Sequence, residues 1–362
     1  MQRRQEALMA GAGLLLTAFL TAAIHAGEGP DVIATISLGP NEDATAFALA
    51  VNPNTKKTYV VPGMEAIGCE SHTVSVIDNS TNTVLAPIAV GLSPFGVAVN
   101  SETNKIYVTN VGGRGDHCSE ELSNTVSVID GSTDVVQKNI RVDGIGPAAV
   151  AVNPRTNKIY VTISGGCCAE GYRVAVIDGS TDAVLRYVDV GPHPFLATVD
   201  PHTNLVYVTH SPEDLITVID GSTDTVRARF SIGSEARGIA PDGEGKYLYV
   251  VARNTDQLAV VDARTNGVVQ TIPVGGRPHG VVFDPDTGKV YVTNRGKCDS
   301  TPGTVSVIDS RLRTVEATIT VGTCPRFLAL SPDTGRLYVP NANTSRSVSV
   351  IRTSKGRGGS RK

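Results

Sequence analysis

Arg237, Arg277 and Arg326 are the residues of this 362-residue chain whose types and spacing point to chemistry. A segment recurs seven times. Five residues before the Asn, Asp or Ser that closes its first apolar run stand Phe47, Phe95, Ala148, Phe195, Arg237, His279 and Arg326. Two residues earlier in each copy stand Thr45, Ser93, Gly146, His193, Glu235, Arg277 and Cys324. If the copies lie in a circle, these two tiers ring one opening. Guanidinium groups hold carboxylates or phosphates through fixed N–H donors, and His193 or His279 would add a donor that responds to pH. The tiers therefore predict a site for a small anionic ligand built from Arg237, Arg277, His279, Arg326 and His193. Two other readings of the same residues stay open. One is a wet, charged rim neutralised by local acids such as Glu235, and the other is a rim that binds a protein partner. Phe95 and Phe195 read as packing residues rather than substrate platforms.

The six cysteines are a second chemical feature. Cys69, Cys118, Cys167, Cys168 and Cys298 fall in the loop between the second and third apolar runs of their copies, and Cys324 opens the seventh. In an exported protein such residues pair as disulfides. Cys298 with Cys324 is the expected bond, because neighbouring copies bring those loops together. Cys69, Cys118 and the Cys167, Cys168 pair could join the first three copies in several ways, a vicinal bond included. Cys69, Glu70 and His72 in one loop, with Asp116, His117, Cys118 and Glu120 in the next, could ligate zinc or copper. Their spacing follows no structural-site pattern, so no cofactor is predicted and metal occupancy is unknown. Arg114-Gly115-Asp116 reads as loop shape rather than an adhesion motif.

These residues are positioned by short apolar runs separated by turns. The aspartates that close the third run fall at Asp78, Asp130, Asp178, Asp220, Asp262 and Asp309, with Arg352 in the seventh slot. The repeat is thus roughly 40 to 50 residues long, enough for four short strands and their turns, which is a β-propeller signature. Asp-Gly-Ser-Thr at Asp130, Asp178 and Asp220 and Asn-Pro at Asn52 and Asn153 are turn sequences that join sequential antiparallel strands. A βαβ unit would need a longer crossover. The seventh copy lacks its outermost strand, and Asp31 to Leu38 resembles one. The predicted fold is therefore an all-β, seven-bladed propeller of four-stranded antiparallel blades, closed by the N-terminal strand in blade seven, which leaves no open edge.

Composition agrees with that frame. Thirty-seven Gly and twenty Pro recur at matching turn positions, Trp is absent, and 41% of residues are apolar, so Val, Ile, Ala, Leu and Tyr must fill the interior. Formal net charge is −3. It becomes −4 without residues 1–26, which carry Arg3, Arg4 and Glu6, so the body is no basic nucleic-acid surface. Residues 1–26 have the layout of a signal peptide, with Arg3-Arg4, an apolar stretch from Ala7 to Ile24, and cleavage after Ala26 or Ala23; an uncleaved N-terminal anchor is the other reading. Residues 27–352 form the propeller and 353–362 a flexible basic tail. The expected location is periplasmic, secreted or cell-surface associated, with no transmembrane segment after signal removal and a monomeric state.

Tyr107-Val108-Thr109-Asn110 and Tyr291-Val292-Thr293-Asn294, with altered copies in the other blades, resemble the YVTN-type β-propeller repeat family across residues 31 to 352. The resemblance implies the fold and an exported or surface-associated setting, not a reaction.

No nucleophile, base and acid can be assembled from spacing alone. The leading expectation is accordingly a binding or scaffold propeller, more a non-enzyme than an enzyme, that recognises a protein partner or small anionic ligand at the channel mouth. The alternatives are a lyase or lactonase using His and Arg or a bound metal there, and an accessory protein of an exported oxidoreductase.

Overall fold

The computed structural model describes residues 30–39, 46–63, 71–112, 124–165, 172–342 and 346–353. Seven antiparallel sheets form the ring. Their innermost strands are Ala48–Asn52, Pro94–Asn100, Pro147–Asn153, Pro194–Asp200, Ala236–Pro241, Pro278–Asp284 and Ala329–Ser331. Blade seven is completed from the other end of the chain. Asp31–Ser37 runs antiparallel to Ser347–Arg352, with Asp31 opposite Arg352 and Ile36 opposite Val348. The expected seven-bladed, ring-closed architecture is present.

The Tyr-Val-Thr-Asn pattern has a physical cause at each position. The tyrosines at 59, 107, 160, 207, 291 and 338 are fully buried between blades. Tyr59 donates to Asp134 of the next blade at 2.8 Å, and Tyr107 donates to Asp182 at 3.4 Å. Lys57, Lys105 and Lys158 meet Asp134, Asp182 and Asp224 beside them, latching blade to blade. The valine fills the core. The threonine hydroxyl donates to the innermost strand of the following blade, Thr293 to the Arg326 carbonyl at 2.7 Å and Thr209 to that of Arg237 at 3.1 Å. The asparagine amide stitches the second strand to the third. Asn294 donates to Thr304 and Ser306, and Asn341 to Ser347 and Ser349. The motif thus pairs the buried threonine hydroxyl and asparagine amide and ties blade to neighbour, while the hydroxyls of Tyr160, Tyr207, Tyr291 and Tyr338 are buried without a hydrogen-bond partner.

The outermost strand of blade one is split into Thr83–Val84 and Ile88–Ala89. Pro87 lies at the break, and its ring nitrogen has no proton for the ladder.

Among the described residues no helix is long and apolar enough to cross a membrane. Residues 1–26, Cys69, Cys118, Cys167, Cys168, the Arg114-Gly115-Asp116 triplet and the basic tail beyond Thr353 lie outside the described residues. So do all the proposed metal ligands except His72. Among the described residues no cluster of three metal-ligating side chains occurs.

Candidate active site

The starts of the innermost strands of blades two to seven share one backbone hydrogen bond. In blades two to seven the amide of the residue four past the motif tyrosine donates to the carbonyl of the outer-tier residue. Ser211 donates to His193 at 3.1 Å, Arg253 to Glu235 at 3.0 Å and Arg295 to Arg277 at 3.2 Å. Outer-tier residues Ser93, His193, Arg277 and Cys324 adopt left-handed φ of 45–54°, an uncommon conformation for a residue with a side chain. The hydrogen bond therefore places two side chains per blade at the channel mouth, one from the tier and one from the position four past the tyrosine.

In blades four to six those positions are Ser211, Arg253 and Arg295, opposite His193, Glu235 and Arg277. Glu235 is 6% exposed and is the centre of the group. Its carboxylate lies 2.7 Å from Arg237 Nε and 3.3 Å from Arg253 Nη1, and it accepts the Ser211 hydroxyl at 2.8 Å. The Arg237 Nε–H points off the line to the carboxylate, so this contact is an ion pair rather than a hydrogen bond. Arg237 also lies 4.5 Å over the Phe195 ring, a cation–π contact. Arg295 rests on the Cys298–Cys324 disulfide, its Nε 3.3 Å from Cys298 Sγ and its Nη2 3.7 Å from Cys324 Sγ. The bond expected between those two cysteines is thus present and supports an arginine of the site.

Burial pulls Arg237 and Arg295 down to about 10, with the neighbouring guanidiniums pulling the same way. Both remain charged at neutral pH. Arg253, Arg237 and Arg277 all bear on Arg295, which puts four guanidiniums within electrostatic reach of one another. Arg237, Arg253 and Arg295 face the single carboxylate of Glu235, a formal excess of two positive charges. Arg277 adds a fourth guanidinium at the exposed rim, where its backbone amide donates to Asp256.

Below the arginines lies an aromatic plate. Phe327 packs against Phe47, Phe195 and His279 with ring centroids 5.6, 6.0 and 4.5 Å away, and Phe95 contacts Phe47 and Phe195. The same phenylalanines, with inner-strand residues such as Leu49, Val97 and Val150, line a cavity of about 180 Å³. A second cleft of about 590 Å³ lies between blades five and six, on the face of the inner-strand turns, beside Tyr247, Arg311 and Arg313.

The predicted ligand residues do not all converge. Arg237 and Arg277 join the guanidinium group, whereas Arg326 lies 5.5 Å over Phe47 and its lowering to about 10 comes from burial alone. His279 is 1% exposed, its Nδ1 has no hydrogen-bond partner, and burial followed by Arg295, Arg237 and Arg253 holds it well below the usual histidine value. It is a neutral ring in the floor rather than a pH-responsive donor at neutral pH. His193 lies one blade away, with Nδ1 2.6 Å from Glu213 and Nε2 3.1 Å from the Tyr172 hydroxyl. Arg253, Arg295, Ser211, Glu213, Tyr172 and Phe327 were not anticipated from the two tiers. For the first three a signal was available, the fourth residue after each motif tyrosine.

The neutrality of His279 has a testable consequence. A histidine whose folded-state value is depressed contributes stability that is present above its unfolded value, near 6.5, and is lost as pH falls below it. Between pH 7 and 5 the wild-type chain is expected to lose about 2 kcal/mol more than His279→Phe. Burial also lowers His210, which leaves a residual acid slope in both proteins. Denaturant titrations at the two pH values check this, and parallel losses would show that His279 is not buried neutral.

The fold and mouth define a seven-bladed β-propeller with a cationic opening. The chain belongs to the lactonase seven-bladed β-propeller family, whose model matches residues 173–360, just over half the chain and the part that carries the arginine group. It is similar to the seven-bladed beta-propeller protein Rv1057 of Mycobacterium tuberculosis, 31% identical over 132 residues, which cover 35% of this chain and 29% of that protein. It is also similar to the PE-PGRS family protein PE_PGRS18 of the same organism, 52% identical over 63 residues, 17% of this chain and 11% of that one. These matches span less than a third of either relative. Among solved structures, Kuenenia stuttgartiensis hydrazine synthase aligns with a TM-score of 0.71 at 21% identity, over 88% of this chain and 98% of that chain. At that identity the likeness is one of fold.

Family membership corrects the expectation that the chain is more a non-enzymatic scaffold than an enzyme. The expectation failed for a physical reason. Side chains at the mouth come from several blades, so no local motif announces them.

Proposed function

We propose that the protein is a hydrolase that opens an anionic lactone at the channel mouth. The observation that carries this reading is the set of three arginines, Arg237, Arg253 and Arg295, around one carboxylate, with Arg277 at the rim. The family's lactonase description supports it. A lactone opens through a tetrahedral intermediate whose carbonyl oxygen becomes an oxyanion. Fixed guanidiniums in a partly dry site stabilise that charge while others hold the substrate's own carboxylate or phosphate. Glu235 fixes Arg237 and Arg253 in place, and the disulfide does the same for Arg295.

The test is hydrolysis of a panel of five- and six-membered lactones bearing a carboxylate or phosphate group. Arg253→Met and Arg295→Met are each expected to raise KM for the best anionic lactone about tenfold, the value of one charged hydrogen bond. Unchanged KM in both would place the substrate elsewhere.

The finer setting is part of the same proposal. The repeats are YVTN-type, supported by the two intact copies and their shared hydrogen-bonding roles. The protein works outside the cytoplasm, supported by the Cys298–Cys324 disulfide and the apolar N-terminal stretch.

A further inference from the structure

We infer that Tyr172, His193 and Glu213 form the proton relay that activates water for this reaction. The inference rests on the lactone-opening reading above and adds the base that the arginine group lacks. A carboxylate can only accept, so the 2.6 Å contact assigns the Nδ1 proton of His193 to its bond with Glu213. Neutral His193 is then left with an Nε2 lone pair, and that lone pair accepts the Tyr172 hydroxyl at 3.1 Å. The two rings also pack, with centroids 4.8 Å apart. A base oriented by a carboxylate and bonded to a hydroxyl is the arrangement general-base catalysis requires.

The relay is built into the same rim as the arginines. His193 occupies the blade-four slot equivalent to Glu235 and Arg277, with left-handed φ of 45°. Its carbonyl accepts the Ser211 amide, and the Ser211 hydroxyl bonds Glu235, so one residue joins the two groups. Phe195, two residues past His193, lies under Arg237. The His193 side chain is 41% exposed and that of Glu213 30%, so the relay is open to solvent rather than sealed in the core.

In the step, water oxygen bonds to the lactone carbonyl carbon while its proton passes to the Tyr172 oxygen and the tyrosine's own proton passes to Nε2. The carbonyl electron pair moves onto oxygen beside the arginines. On collapse the ring C–O bond breaks and the proton returns from Nε2 through Tyr172 to the leaving alkoxide. The product is a hydroxy acid, and no redox partner is needed. Tyr172 is the group that meets water, and Glu213 is a positioning residue.

The test uses the full chain and the best anionic lactone of the panel. Asn tolerates left-handed φ, so His193→Asn preserves the backbone while removing the base. It is expected to lower kcat at least about a hundredfold with KM within twofold, and free imidazole is expected to restore turnover in proportion to its unprotonated fraction. Tyr172→Phe is expected to lose as much, and Glu213→Gln about tenfold. Far-ultraviolet circular dichroism of each variant reports folding. If the wild type opens lactones but His193→Asn or Tyr172→Phe stays within threefold of it, or imidazole rescues nothing, the relay is wrong and the lactone reading stands. If the wild type opens no lactone while binding the hydroxy-acid products at the arginines, both the relay and the hydrolytic reading fall.

Discussion

Glu235→Gln is expected to weaken the fold and strengthen anion binding at once. The wild-type carboxylate, 6% exposed, is the counter-charge for Arg237 and Arg253 and lies in the field of Arg295. Removing one partner of a buried ion pair costs about 3 to 5 kcal/mol, because the remaining charges keep their desolvation penalty without its compensation. Arg253 is a quarter exposed, so the lower end, about 3 kcal/mol, is expected in urea denaturation. A glutamine also leaves the guanidiniums in need of an anion. Sulfate or a hydroxydicarboxylate should therefore bind about tenfold tighter than to wild type and recover stability as ligand linkage dictates. A simple packing defect would not reverse sign in this way. Equal stability, or no added response to anions, would show that Glu235 is not holding the arginines.

Gly280→Ala is expected to cost about 3 kcal/mol and to disable the site. A Cβ at Gly280 would stand 2.8 Å from the Arg326 carbonyl oxygen and 3.0 Å from the Phe327 Cα, which are backbone atoms of the next blade. That carbonyl also accepts the Thr293 hydroxyl. Overpacking of this kind costs about 1–3 kcal/mol, and the strained hydrogen bond adds about 1 kcal/mol. His279 and Arg326 flank the contact, so the plate beneath the arginines shifts with it. Gly238 faces the His279 carbonyl at 2.7 Å and Gly96 that of Ala148 at 2.6 Å, so the same restriction recurs around the ring. Gly276→Ala is the control. No atom lies within 4 Å of the added carbon there, and stability within about 0.5 kcal/mol of wild type is expected. Similar losses in both variants would mean that inner-strand contact is not the cause.

Much of this was legible in the residues themselves. The blade count, the closure through Asp31 to Ser37 and the pairing of Cys298 with Cys324 all follow from periodicity, because a repeat puts equivalent residues at equivalent places. Of the tier residues, Glu235 and Arg237 are in contact and Arg277 lies within electrostatic reach of their group. Arg326 misled because blade seven starts irregularly. Its innermost strand is only Ala329–Ser331, preceded by an isolated bridge from Pro325 to Asn341, and Phe327 turns into the plate. The Tyr172 and Glu213 partners of His193 were beyond periodicity, since one lies at a loop end of blade three and the other in a loop of blade four, both outside the two tiers. Arg253 and Arg295 were visible but unread, each four residues past a tyrosine whose partners the sequence does not show.

The most direct test compares two lactones of the same ring size, one carrying a carboxylate and one neutral, at low and at high salt. The arginine mouth predicts kcat/KM at least about a hundredfold higher for the anionic ring at low salt, with the gap narrowing as salt screens the exposed rim. Equal rates for the two rings, or a preference that salt leaves unchanged, would contradict it.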